Sequence, residues 1–262
     1  MIKQFVGYVG QKGIDTYKNF YEAAAFAVVC ATHMLHPKSY NSAMIMVMIK
    51  QIYFTTIQLL PLFIVMATVF GSIIIGAVIA VSIDFGLQQQ IGSIIVNFTI
   101  DQFAPLFTAL LIALRSGAAV STEIAVMSVN KELNFLRSYK IDLINYLFLP
   151  RIINGIISMV SLSILFAIIM ILSGYIYIFF FLGMDFHTYS LLLFNALEIS
   201  NFVTLFVKSF IYGFTIMLIP IYSGLKATKS YTQIPIAVLN GMVKLFIAIF
   251  MVEVSSLALK FI

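Results

Sequence analysis

The feature that most restricts this chain is a set of uncharged apolar runs longer than the ~20 residues that cross a bilayer as a helix. No Asp, Glu, Lys or Arg lies between Gln51 and Ile83, or between Ile152 and Phe181. Within hydrocarbon every backbone amide must be bonded inside the protein, which leaves helices or a closed barrel. A barrel alternates polarity over segments of ~10 residues, whereas these runs are continuous, so the chain is expected to be an all-α polytopic membrane protein. A composition 62% hydrophobic and only 10% charged agrees.

Five runs qualify as spans. They are Gln51 to Ile83, Ile91 to Leu114, Ile152 to about Phe181, Phe202 to Tyr222 and Ile234 to Leu259. Pro61 is expected to kink the first, where Gly71 and Gly76 permit close helix approach. A polar turn through Gln88, Gln89 and Gln90 leads to the second, and Met184 to Asn201 reads as a loop before the fourth. Residues 1–50 form a separate N-terminal segment, with lysines at Lys3, Lys12, Lys18, Lys38 and Lys50 among Phe5, Tyr8, Ile14, Tyr17 and Phe20. That mixture suits an amphipathic helix lying in the interface plane, followed by a dip from Ala23 to Leu35 too short to span. Residues 51–262 are then the five-span domain.

Between spans two and three, from about Arg115 to Arg151, the chain carries Glu123, Lys131, Glu132, Arg137, Lys140 and Asp142 as well. Charges are costly inside hydrocarbon, so this island is expected to lie mostly outside it. Its apolar residues, Ile124, Met127, Leu133, Leu136, Ile141, Ile144 and Leu147, recur at near-helical spacing. One or two amphipathic helices at a membrane surface or against another protein would produce that pattern. The N-terminal segment, the island and the loop holding Lys226 and Lys229 carry the Lys and Arg of the connections, while the two intervening loops have none. By the positive-inside rule the amino terminus and the island are expected in the cytoplasm.

Several function classes drop out. A net charge of +5 reflects lysines beside apolar runs, the mark of membrane orientation rather than of nucleic-acid binding. Gly7, Gly10 and Gly13 lack the Gly-Lys-Ser/Thr ending of a phosphate-binding loop, so the chain is not expected to hydrolyse nucleotide itself. Cys30 stands alone, no cleavable signal peptide is evident, and His33 and His36 lack the further ligands of a metal site. A membrane enzyme of lipid metabolism would need a His, Asp or Glu cluster, and none is apparent.

Ionisable residues inside spans are functional candidates, because hydrocarbon penalises an unpaired charge. Asp101 with Gln102 in span two, Lys208 in span four and Glu253 in span five are compatible in depth with one shared cavity. Two readings are open: Lys208 meets a lipid phosphate with Glu253 orienting it, or the two charges only neutralise each other between helices.

The run APLFTALLIALRSGAAVSTEIAVM, followed by NKELNFLRSYKIDLINYLFLPRIINGII, resembles the MlaE-type permeases of lipid-transporting ABC systems. Positions similar to the family pattern are Pro105, Arg115, Gly117, Glu123, Met127, Leu133, Asp142, Pro150 and Arg151. The chain departs from it at Asp101 to Pro105, where the family has Arg-Glu-Leu-Gly-Pro, and at Asn130, Lys131 and Glu132, where it has Thr-Glu-Gln. The resemblance implies a homodimeric multi-pass permease of the inner membrane that has no cofactor of its own. ATP would be bound by a separate ABC ATPase subunit, reached through coupling helices bearing Glu123, Asn130, Lys131, Glu132, Leu133, Leu136 and Arg137. A periplasmic MCE-domain lipid-binding protein and movement of phospholipid are also implied. Asn130 is expected to cap the helix beginning near Glu132. The competing reading is an ion-coupled secondary transporter of an amphipathic solute, which predicts broken helices and internal repeats.

Overall fold

Every regular element of the computed structural model, which describes residues 2–37, 40, 42–87, 90–227 and 230–260, is helical. Lys38, Lys229 and the Gln88 and Gln89 part of the expected turn lie outside the described residues, as do the side chains before Tyr17. Five helical stretches are long and apolar enough to cross a membrane: Met44–Asp84, Ile91–Val129, Ile144–Phe180, Ile199–Leu225 and Gln233–Lys260.

Helix α1 runs unbroken through Ile2–Leu35. The expected interfacial helix and short dip are therefore one element, because nothing between them breaks a helix. It stops where His36 precedes Pro37, since a proline ring disfavours helical geometry in the residue before it.

The first span is split. Helix α2 (Ser42–Thr55) and helix α3 (Leu60–Asp84) are separated by a turn at Thr56 and a single 3-10 turn at Ile57–Leu59. Pro61, in the first turn of α3, supplies the cause: it has no N–H, and its ring crowds the carbonyl four residues earlier. The kink expected there is thus a full break. Twenty-five residues of α3 span about 38 Å, enough for the ~30 Å of hydrocarbon without α2. Helix α2 instead packs on the third span, Met44 meeting Leu149 and Ile153.

The second span is longer than its apolar run. Helices α4 (Ile91–Val96), α5 (Ala104–Ile112) and α6 (Ala118–Val129) join through π-helical segments at Asn97–Phe103 and Ala113–Gly117. Hydropathy placed the end at Leu114, but no proline follows to stop the helix. Its small residues Ser121 and Ala125 also let the fourth span approach: a Cβ on Gly224 would sit 2.7 Å from the Ser121 carbonyl. The island accordingly begins inside a helix, and only α7 (Glu132–Ser138) and its flanking turns stand apart. Lys131 and Lys140, at φ 63 and 59, make those turns.

Helix α8 (Leu149–Leu182) follows a third π segment, Ile144–Phe148, which Asp142 opens by accepting from the Ile144 N–H at 3.0 Å. The region expected as a loop contains helix α9 (Phe186–Ala196), started by Asp185, whose carboxylate accepts from the Thr188 N–H and hydroxyl. Tyr189 and Leu193 bury its inner face. That short apolar face escapes notice in a segment chosen for its polar residues. Helix α10 (Ile199–Leu225) starts with a reciprocal capping box between Glu198 and Asn201, and α11 (Gln233–Lys260) is the last described helix.

At the centre, α8 packs against α3 on one side and α10 on the other, with α10 also touching α6 and α11. Small residues make the crossings close: a Cβ on Gly213 would stand 2.6 Å from the Ile156 Cα, and one on Gly71 2.7 Å from the Met170 Cα. Such contacts suit a bilayer, where helix association rests on packing rather than on escape from water. Phe63 and Phe166 meet edge to face at 6.0 Å in the core.

The described Lys- and Arg-bearing connections gather at one end. Here α1 touches the starts of the third span and the end of α10 through His33 and Asn145 (3.0 Å), and through Phe26 beside Phe148 and Tyr222. Tyr231, before α11, donates to Asn130 at 2.7 Å.

Candidate functional site

Lys208, nine residues into α10, is 3% exposed. Its ammonium donates to the Asp101 carbonyl at 2.8 Å, to Gln102 Oε1 at 2.6 Å and to Glu253 Oε1 at 2.9 Å. Local sequence creates the first acceptor. In an α-helix the Asp101 carbonyl would accept from the N–H four residues on, and that residue is Pro105, which has none. The π segment Asn97–Phe103 ends at this point, and the carbonyl is left facing α10.

Around this contact the four sequence candidates Asp101, Gln102, Lys208 and Glu253 come together from three spans, and further residues complete them. The Tyr212 hydroxyl donates to Glu253 Oε2. Asn201 Nδ2 donates to Asp101 Oδ2 and Asn97 Oδ1, both at 2.9 Å. Lys260, from the last turn of α11, pairs with Asp101 Oδ2 and is 37% exposed against 1% for its partner. Two cations thus face two carboxylates, and burial is tolerable because the charges balance and most lone pairs are bonded. Lysine has three N–H donors and no more, all used here, so the group forms a packed polar cluster. For Lys208 to reach a phosphate, Glu253 or Gln102 must first give way.

Sequence reasoning missed Tyr212, Asn201, Asn97 and Lys260. A signal for the first three was present: Asn201, Lys208 and Tyr212 recur at helical spacing in an otherwise apolar span, as do Asn97 and Asp101. Lys260 had none, because a lysine at a span's end reads as an orientation mark.

At the opposite end the coupling candidates divide. Glu132 and Arg137 on α7 are exposed, while Leu133 is buried and Leu136 half-buried against the bundle, so these leucines fasten the helix. Asn130 does not cap α7. Lys131 occupies the cap position and makes no side-chain capping bond, and Asn130 closes α6 instead, its amide donating to Glu132 Oε1 at 3.1 Å. The left-handed turn at Lys131 turns the Asn130 side chain aside. Glu123, 59% exposed, pairs at 2.6 Å with Arg151, 5% exposed. Arg115 donates to Gln58 at 3.1 Å. Pro105 and Gly117 are buried where α5 and α6 begin, and Pro150 opens α8. Lys244 is exposed on α11, and Tyr21, Tyr40 and Tyr53 are exposed too.

Among the described residues no group of three or more His, Cys, Asp or Glu is placed to hold a metal ion. A model of the family described as Permease MlaE matches residues 48–259 of this chain. The "Intermembrane phospholipid transport system permease protein MlaE" of Haemophilus influenzae is 27% identical over 226 residues, covering 86% of this chain and 85% of that protein. A "Probable ABC transporter permease protein" of Rickettsia bellii is 27% identical over 234 residues, 87% of each.

Proposed function

Since the chain belongs to the MlaE permease family, a group of ABC-type multi-pass permeases, we propose that it moves phospholipid between the inner membrane and a periplasmic carrier. Two copies form the membrane-spanning part, an ABC ATPase subunit supplies the energy, and an MCE-domain protein receives or delivers the lipid. The amino terminus and α7 face the cytoplasm, in keeping with the basic connections gathered at that end.

The observation that carries this reading is α7 itself. It is held to the bundle by Leu133 and Leu136 while Glu132, Phe135 and Arg137 remain exposed. Lying on the chain's most charged connection, it offers a rigid handle to a partner that drives the helices. At the other end the Lys208 cluster is the lipid contact: phosphate replaces Glu253 or Gln102 at the ammonium when the spans part.

The test is co-purification from detergent and reconstitution with the ATPase. The expected result is ATP-dependent transfer of labelled phospholipid, lost when Glu132 and Arg137 are both changed to Ala. Transfer driven by an ion gradient without any ATPase would overturn the proposal in favour of secondary transport. Unchanged lipid flux in a Lys208→Ala complex that retains ATP hydrolysis would remove the phosphate role.

A further inference from the structure

A cavity of about 500 Å³ lies among α2, α6, α8 and α10, at the end that carries α7 and away from the Lys208 cluster. Its polar lining includes Lys50, Gln51, Arg115, Glu123 and Arg151, three cations against one carboxylate. Arg151 is only 4% exposed. One of its nitrogens, Nη2, serves Glu123, but Nε and Nη1 are buried with no hydrogen-bond partner among the described residues. Gln51 Oε1, on the facing helix, is likewise buried and without a donor.

A buried guanidinium with open donors is costly unless an acceptor completes it. Neighbouring polar groups are already engaged: Asn154 donates to Thr55 at 3.0 Å, and Ser158 donates to Asn154 at 3.1 Å. An acceptor from outside can complete the guanidinium, and one that carries negative charge also offsets the excess of cations. Phosphate suits such a site, because its several oxygens can serve two guanidinium groups and an ammonium together. Phe54, Val120 and Met217 also line the cavity, so the occupant has an apolar part beside its anionic head. The volume far exceeds that of a bare anion.

We propose that this cavity is a second lipid site, which takes the phosphate-bearing headgroup of a membrane phospholipid, with Arg151, Arg115 and Lys50 holding the phosphate. Gln51 Oε1 accepts from a hydroxyl or ammonium of the same headgroup, and the acyl chains leave past Phe54. The site rests on the reading of the chain as a phospholipid permease, but it is tested by equilibrium binding with neither ATP nor transport. Failure here therefore leaves that reading standing, and absence of ATP-driven transfer leaves this one.

Isothermal titration of the full chain in a phosphate-free detergent separates the sources. The probes are dihexanoylphosphatidylglycerol, dihexanoylglycerol and inorganic phosphate. The phosphatidylglycerol is expected to bind, the glycerolipid without phosphate is not, and a Lys50→Gln/Arg115→Gln variant should bind about tenfold more weakly. Both altered residues are exposed, so the fold survives, and Lys244→Gln, which removes an exposed cation on α11 outside both sites, should leave binding unchanged. Displacement by millimolar inorganic phosphate would show that the headgroup's phosphate suffices, whereas inorganic phosphate as the sole binder would overturn the lipid source. Equal binding of the two glycerolipids, or no change in the double variant, would overturn the site.

Discussion

The two ends of this bundle handle charge in opposite ways. Around Lys208 two cations and two carboxylates balance, and the buried ammonium spends every donor within the protein. Around Arg151 the cations outnumber the carboxylate, and a buried guanidinium keeps donors open beside a large cavity. Similar residue types in similar membrane helices therefore yield a closed lock at one end and an open cradle at the other. The difference lies in whether the opposing charges reach each other, and burial alone does not decide it.

The largest expected effect tests the closed end. Lys208→Ala strands Glu253 and should cost about 3–5 kcal/mol, read as thermal unfolding in detergent, while Lys208→Met with Glu253→Leu should recover most of it. If the double variant is as unstable as the single one, charge balance is not what closes this end. Lys260→Gln, at the exposed rim of the same cluster, should cost only about 1 kcal/mol, because water screens the 37% exposed ammonium and the amide can still donate.

At the cradle, Glu123→Gln should cost at most about 1 kcal/mol, since Glu123 is 59% exposed. The same change should tighten phosphate-headgroup binding by removing the competing carboxylate. Weaker binding would show Glu123 to be a ligand-positioning group. The smallest effect lies outside both ends. The Thr188 hydroxyl, donating to Asp185, holds that carboxyl below its ordinary value of 3.8. Its contribution is therefore present above that value and is lost as pH falls through the lower folded one. Hydrogen exchange at the start of α9 should speed up only in that acid window, and Asp185→Ala should abolish the pH dependence.

Much of this was legible along the chain. The five spans followed from long apolar runs, and Asp101, Lys208 and Glu253 declared themselves because hydrocarbon makes any charge conspicuous. Helix α9 was hidden by its short length, and α6 by polar residues that face its own neighbours. The division of α7 into anchoring leucines and exposed charges needed the bundle to supply an inside. The pairing of Lys260 with Asp101 was out of reach, since the two are 159 positions apart and neither is marked for the other.

By itself the sequence determined the class of solvent, the number of crossings and the place where Pro61 interrupts the first span, because each depends on residues within one or two turns. Tertiary structure alone decided which charges are paired, which leucines face inward and where a cavity remains. Those outcomes depend on how close α6, α8, α10 and α11 approach one another, and a chain read one position at a time has no measure of that distance.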